Sequence, residues 1–416
     1  MRLFLDILQQ TLRVLWAHKL RSFLTMFGIA WGVGSLLLLI GLGEGFRSGQ
    51  AKNLAQMGSD VMFLWPGRIP AVEGSKTSGR YYRLTYRDYQ VIKEQATRIR
   101  AVSPVLSRGD IRASSEFNGA AGQVAGVAPN YNQIRNLPID VGRWMSTQDE
   151  NDERRVAVIG YDLFKTLFAG RPGVGSEMLL NGNRFEVIGI LQRNNRGGSM
   201  SGTDMRVFIP ISVMRSLFPM KGNNVEDAIS YLNYQPLRTE LHNEAKQEVH
   251  NIIGRLHGFN PKMEDSFEDW DTIEEARRVG LIFNAMDMFL GAVGVVTLAL
   301  GAIGIVNIML VSVAERTKEI GLRKAIGATN RNVLLQFFLE GAFLTGFSGL
   351  MGLAGAGTLM FLLSLLPPMR GFDTPRIVPE SAALAIGALC VAGIFAGLYP
   401  ARKAAMLQPV EALRSE

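Results

Sequence analysis

Glu315-Arg-Thr-Lys-Glu-Ile-Gly-Leu-Arg-Lys-Ala-Ile-Gly-Ala328 sets six charged side chains of both signs between two long stretches that carry none. Before it, residues 288–314 are uncharged from Asp287 to Glu315; after it, residues 341–369 are uncharged from Glu340 to Arg370. A spanning helix needs about 20 apolar residues to cross about 30 Å of hydrocarbon, and both stretches meet that length. A soluble enzyme has no reason to hold a charged, helix-prone cassette between two such segments. A membrane subunit gripped from the cytoplasm by another protein does.

Working outward, residues 22–43 and 381–401 are uncharged windows of the same kind, which makes four spans. Residues 44–287 form a polar insert of folding size between the first two. The expected fold class is a membrane α-helical chain of four transmembrane helices carrying a large mixed α+β extracytoplasmic domain. Residues 315–340 form a cytoplasmic coupling region, 370–380 a short external loop and 402–416 a cytoplasmic tail.

The net charge of +7 is a topology signal. Residues 1–21 hold four Lys/Arg against one Asp, and residues 315–340 hold five against three acids. The tail holds three against two, whereas the large insert is nearly balanced at 30 against 29. Short loops rich in Lys and Arg stay inside, and long domains cross regardless of charge. Both termini and the cassette are therefore expected in the cytoplasm of a multi-pass membrane protein, with the insert outside. This placement of the basic residues argues against a nucleic-acid partner. The first span lacks an A-x-A site at Gly41-Leu-Gly-Glu-Gly45 and reads as an uncleaved anchor. Phe4, Ile7, Leu8, Leu12 and Leu15 recur at helical spacing before it, which suits an amphipathic helix along the inner surface and its lipids.

Inside the insert, Thr85-Tyr-Arg-Asp88 reads as a capping box opening a helix, and Val156-Ala-Val-Ile159 as a buried strand. Asn181-Gly182 between β-rich runs signals a hairpin. Helix is expected from Pro236 to His257 and again from Ser266 into the second span. Loops at residues 66–83 and 193–203 are rich in Gly and Ser, and offer partner contacts.

Catalytic patterns are missing. The nearest phosphate-loop match, Gly74-Ser-Lys-Thr77, lacks the Gly-Lys pair. His242, His250 and His257 fall on one helical face but about 12 and 10 Å apart along the axis, too far for one metal, and read as solvated surface histidines. The acidic run from Glu264 to Glu275 reads as a solubilising lead into the second span. Cys390, the single cysteine, rules out a disulfide. No cofactor, metal or catalytic role is expected in this chain.

In the membrane, Gly28-x-x-x-Gly32 and Gly393-x-x-x-Gly397 permit close helix approach, with Asn307 and Glu340 as polar exceptions suited to packing or coupling. Within the cassette, Glu315, Arg316, Lys318, Glu319, Ile320, Gly321, Arg323, Lys324 and Gly327 are the candidate partner-docking residues. Alternating charge with an apolar set suits a groove in another protein.

These features resemble the permease subunits of MacB/FtsX-type ABC transporters. The likeness rests on Gly304-Ile-Val-Asn-Ile-Met309, the cassette itself, Tyr399-Pro-Ala-Arg402, Pro409-Val-Glu-Ala-Leu-Arg414 and Lys19-Leu-Arg-Ser22. Outside the membrane it rests on Val127, Pro129, Gly142-Arg143, Val156 to Gly160 and Phe185 to Gly189. The resemblance implies a dimer, either of two copies or of related chains, whose cassette docks on a cytoplasmic ABC ATPase that binds ATP and Mg. Many members carry the ATPase fused at the N-terminus; this chain begins at its lead-in helix, and the ATPase is expected on a separate chain. It further implies mechanotransmission: the ATPase moves the external domains, and cargo need not pass between the spans. Efflux of drugs, peptides or similar amphiphiles with a periplasmic adaptor and outer-membrane channel is the leading reading. Lipoprotein release and FtsX-like regulation of extracytoplasmic proteins are the alternatives.

Overall fold

The computed structural model describes residues 19–58, 60–70, 79–193, 202–222, 227–366 and 372–414. The amphipathic helix expected before residue 19, the phosphate-loop-like residues 74–77, most of the 193–203 loop and residues 367–371 lie outside them. The chain divides into two compact units, residues 1–49 with 280–416, and residues 50–279.

Among the described residues of the first unit, four helices contain stretches long and apolar enough to cross a membrane: α1 (Lys19–Met57), α8 (Thr272–Glu315), α10 (Asn330–Ser364) and α11 (Pro379–Ala405). Two short helices accompany them, α9 (Thr317–Ala325) and α12 (Pro409–Arg414). Their shared core is built from Ile29, Val33 and Leu36 of α1, Leu298, Ile305 and Met309 of α8, Phe337 and Leu344 of α10, and Ala396 of α11. With no hydrophobic drive between helices in lipid, small residues set how closely they pack. A Cβ on Gly341 would stand 3.0 Å from the Cα of Gly397, and one on Gly393 would stand 2.9 Å from Thr345 Cγ2, so α10 and α11 touch backbone to backbone. Gly32 abuts Thr297 and Leu298 of α8, whereas Gly28 has open space around it.

The C-terminal part of α1 is held by the segment that precedes α11. Asp373 donates its backbone N–H to the Gly45 carbonyl at 2.9 Å, and its carboxylate accepts from Ser48 Oγ at 2.9 Å. Arg376 pairs with Glu44 at 3.1 Å. A side chain at position 45 would meet the Asp373 carbonyl oxygen at 2.8 Å, so this approach requires glycine.

The second unit is a twelve-stranded sheet with helices. Its strands are β1 (Met62–Pro66), β4 (Ile99–Arg108), β5 (Arg112–Ser114), β6 (Gly119–Ala121), β7 (Gln123–Val127), β8 (Ile139–Gly142), β9 (Val156–Ile159), β10 (Glu177–Leu180), β11 (Asn183–Leu191), β12 (Arg206–Pro210), β13 (Tyr231–Pro236) and β14 (Phe267–Asp271). They run in the order β14-β1-β13-β4-β7-β12-β9-β11-β10-β5-β6, with β8 beside β11. A small separate ribbon pairs β2 (Arg68–Ile69) with β3 (Arg80–Tyr81). The helices are α2 (Tyr86–Gln95), α3 (Tyr131–Ile134), α4 (Thr147–Asn151), α5 (Tyr161–Phe168), α6 (Ile211–Leu217) and α7 (His242–His257).

Strand alternation sorts the core. Ala157 and Ile159 of β9, Val207 and Ile209 of β12 and Leu106 of β4 share one cluster with Leu163 and Leu167 of α5 and Met214 of α6. Their strand neighbours Val156, Val158, Phe208 and Val105 fall in another cluster with Tyr131 and Ile134 of α3. Val156 to Ile159 is thus buried on both faces, as its unbroken apolar run predicts. The Thr85 capping box is present, with Asp88 accepting from the Thr85 N–H at 2.7 Å. The Asn181-Gly182 hairpin is also present, with φ of 45° and 86° at the two turn residues.

The histidines and the acidic run depart from expectation. His242 meets Asp271 at 2.7 Å, His250 meets Asp269 at 2.9 Å and His257 meets Asp88 at 2.9 Å, and all six side chains are at most one-fifth exposed. They are paired and largely buried rather than solvated. The His250 ring also lies flat on Phe267, with centroids 3.7 Å apart. Residues 267–271 form a strand, and helix begins only at Thr272. Pairing with β1 (Met62 opposite Asp271, Phe63 opposite Trp270) captures them, so Asp269 and Asp271 serve the face of α7. Likewise Pro236 ends β13, and α7 starts at His242. Tertiary pairing overrides local helix preference at both places.

The start of α8 is fixed within this unit. Thr272, 1% exposed, receives the Val61 N–H and donates its hydroxyl to the Val61 carbonyl, both at 2.9 Å.

Asp149 closes the turn after β8. It accepts from Arg143 Nη1 at 2.6 Å and from the Ser146 N–H and hydroxyl at 2.8 Å each. The Arg143 guanidinium, helped by Ser146, holds its carboxyl well below the usual carboxylate range. A depressed folded-state pKa contributes stability that is fully present above the unfolded value near 4 and is lost as the pH falls through the folded value. Asp149→Asn is therefore expected to lower stability at pH 7 by about 1–2 kcal/mol and to flatten the acid loss below about pH 4. Thermal unfolding of both proteins between pH 2 and 7 (an interval of about five units) checks this; an unchanged acid slope in the variant counts against it.

Candidate coupling site

The cassette folds as a bend, a short helix and a glycine stop. Helix α8 ends at Glu315, and the backbone turns at Arg316 (φ −102°, ψ 15°) before α9 begins. Gly327 closes α9 at φ +108°, in the left-handed region that costs glycine nothing. The Ala328 N–H reaches the Arg323 carbonyl at 3.0 Å and the Gly327 N–H reaches that of Lys324 at 3.1 Å, the paired bonds of a Schellman stop. Thr329 then caps α10 by accepting from the Asn332 N–H at 3.3 Å.

The candidate residues divide between two faces. Arg316, Ile320, Gly321, Arg323 and Lys324 turn toward their own chain. Arg316 Nη1 lies 3.4 Å from Glu340 Oε2, which joins two residues singled out separately in the sequence. Glu340 is 4% exposed. Arg323 donates to Gln336 of α10 at 3.0 Å. Ile320 enters the apolar core of the helical unit, and Gly321 is buried beside it. Lys324 Nζ donates to the Ala405 carbonyl at 2.7 Å and to that of Leu407 at 2.6 Å. Carbonyls in the last turn of a helix lack intrahelical partners, so this ammonium caps α11 and meets the negative end of its dipole. That bond also fixes α9 beside α12, a contact that sequence reading did not anticipate.

Glu315, Lys318, Glu319, Leu322, Ile326 and Gly327 are exposed. Positions 318, 319, 322 and 326 follow the three- and four-residue spacing of one helical face. Leu322 and Ile326 remain 57% and 80% exposed, an unusual state for large apolar side chains at a tightly capped helix. The face thus offers both signs of charge around an apolar centre, on an element anchored from behind.

Among the other candidates, Gly32, Gly393 and Gly397 lie at contacts between spans of this chain, while Asn307 is exposed on α8.

Residues 22–251 match the family described as the MacB-like periplasmic core domain, and residues 291–409 match the FtsX-like permease C-terminal family. The macrolide export ATP-binding/permease protein MacB of Bdellovibrio bacteriovorus is 33% identical over 100% of this chain and 62% of its own length. That of Chlorobium luteolum is 32% identical over 99% of this chain and 60% of its own. The chain therefore spans about three-fifths of these relatives and corresponds to their permease portion. The periplasmic region of MacB from Actinobacillus actinomycetemcomitans aligns with 55% of this chain and 96% of itself at 17% identity, with a TM-score of 0.42. A MacB-like core domain covering more than half the chain, followed by an FtsX-like permease region carrying the cassette, shows that this multi-pass membrane protein belongs to the MacB/FtsX-type family of ABC transporter permeases.

Proposed function

We propose that this chain is the permease subunit of an ABC transporter whose cytoplasmic nucleotide-binding subunit docks on the exposed face of α9. The observation that carries this reading is the division of the cassette. Lys318, Glu319, Leu322 and Ile326 stay exposed while Arg316, Ile320 and Lys324 are tied into the chain behind them. A helix held rigidly from one side and left apolar on the other suits docking into a groove. ATP and Mg bind the nucleotide-binding subunit, and hydrolysis belongs there. Both termini and residues 315–340 lie in the cytoplasm and residues 44–287 outside, a placement supported by the excess of basic residues in the short segments.

Closure of the ATPase dimer pulls on α9 and, through α8, moves the external domain. The unbroken run of α8 over 44 residues supports that mechanotransmission. The cargo class is an amphiphile, such as a drug or peptide, passed with a periplasmic adaptor toward an outer-membrane channel; the relatives' names, which specify macrolide export, support it. Two copies form the working unit. The exposed Asn307 amide on an otherwise apolar span supports such pairing, because an amide in hydrocarbon gains from a hydrogen-bond partner on a second helix.

Spin labels placed at Lys221→Cys in two copies, reconstituted with the ATPase, test the reading. The distance between labels is expected to shift on trapping with ATP and vanadate. An unchanged distance alongside active hydrolysis would rule out mechanotransmission.

A further inference from the structure

We infer that the ATPase-docking surface is built from two helical segments rather than one, the C-terminal corner formed by the end of α11 and by α12 supplying its second half. The inference rests on the docking reading of α9 and extends it to a part of the chain that reading does not use. Large apolar side chains stand exposed on both segments: Leu322 (57%) and Ile326 (80%) on α9, Met406 (78%) at the end of α11 and Val410 (76%) on α12. The two pairs belong to segments in direct contact. Lys324 Nζ, on α9, bonds the carbonyls of Ala405 and Leu407, the residues on either side of Met406. Ala401, Ala404, Ala405 and Ala412 of this corner are buried, and Ala401 and Ala404 share the apolar cluster that Ile320 of α9 enters. The corner is thus packed on its inner side and apolar on its outer side, like α9 itself. A patch of this kind marks a surface that another molecule covers.

The charges around the patch choose the occupant. Lys318 and Glu319 on α9 and Arg402 and Lys403 on α11 are exposed beside it. A helix lying on an anionic leaflet carries a basic polar face, and Glu319 at that position would be repelled. Both signs around an apolar centre suit a protein, and continuity with the α9 face makes that protein the same ATPase. Lys324 then acts as a positioning residue, setting the register between the two halves.

Cysteine protection tests this with the full chain in lipid nanodiscs. In a Cys390→Ser background, single replacements Leu322→Cys, Ile326→Cys, Met406→Cys and Val410→Cys are treated with a membrane-impermeant maleimide. The treatment is repeated with the ABC ATPase that copurifies with the chain. All four positions are exposed, so cysteine fits each. Without the ATPase all four are expected to label; with it, each rate should fall at least about tenfold, equivalent to about 1.4 kcal/mol of protection. Protection of 322 and 326 alone overturns the two-segment surface and leaves α9 docking standing. Protection at none of the four removes both readings. Failure of 406 and 410 to label without the ATPase means that lipid covers the corner, which also overturns the inference.

Discussion

With α9 docked as proposed, Leu322→Asp is expected to leave the chain inserted at its normal level but to sever it from the ATPase, and Ile326→Asp to do the same. The two side chains are more than half exposed, so neither change disturbs the packing of the spans. In the docked state each would sit at the apolar centre of the contact, where a carboxylate must be stripped of water without a partner. Truncating a central apolar anchor costs about 2 kcal/mol or more of binding, and a buried unpaired charge adds to that, so association is expected to weaken by at least about 30-fold. Copurification of the ATPase and ATP-driven export in the same membranes give the measurement. Reversal of Glu319 at the rim, by contrast, should change affinity by less than about tenfold, because an exposed ion pair contributes about 1 kcal/mol or less. Undiminished export with Leu322→Asp would remove α9 from the coupling path.

The second large effect concerns the bend between α8 and α9. Arg316→Ala removes the partner of Glu340, whose side chain is 6% exposed. Breaking a buried pair by deleting one member costs about 3–5 kcal/mol, since the surviving charge stays buried without compensation. The variant should therefore melt earlier and accumulate poorly. Adding Glu340→Gln to it removes the stranded charge, and the double variant should recover most of the loss. Thermal unfolding of the four proteins of this cycle in detergent gives the coupling energy directly. Purely additive losses would mean that the two side chains do not act as a pair.

What the sequence revealed follows from how local each signal is. The uncharged windows at residues 288–314 and 341–369 are long and self-sufficient, so a spanning helix in each could be read without any partner. The Thr85 cap and the Asn181-Gly182 turn depend on neighbours a few residues away, and they too were legible. The acidic run at 264–275 was not, because what makes residues 267–271 a strand is β1, about 200 residues earlier in the chain. The histidines failed for the same reason: their carboxylates come from β14 and α2, and helical spacing within α7 says nothing of them. In the cassette the mix of charged and apolar residues could be read, but its division between two faces could not. Nothing in the local pattern tells that Lys324 reaches the carbonyls of Ala405 and Leu407, across about 80 positions of sequence.

The reciprocal pair of hydrogen bonds between Thr272 and Val61 behaves like a weld at the foot of two adjoining rods. Because Val61 leads directly into β1 and Thr272 directly follows β14, the seam cannot slip by a residue without unzipping the ladder between those strands. Under the proposed mechanotransmission, an axial tug on the first turn of α8 would meet no soft joint there and would pass to the sheet edge as displacement rather than as local fraying.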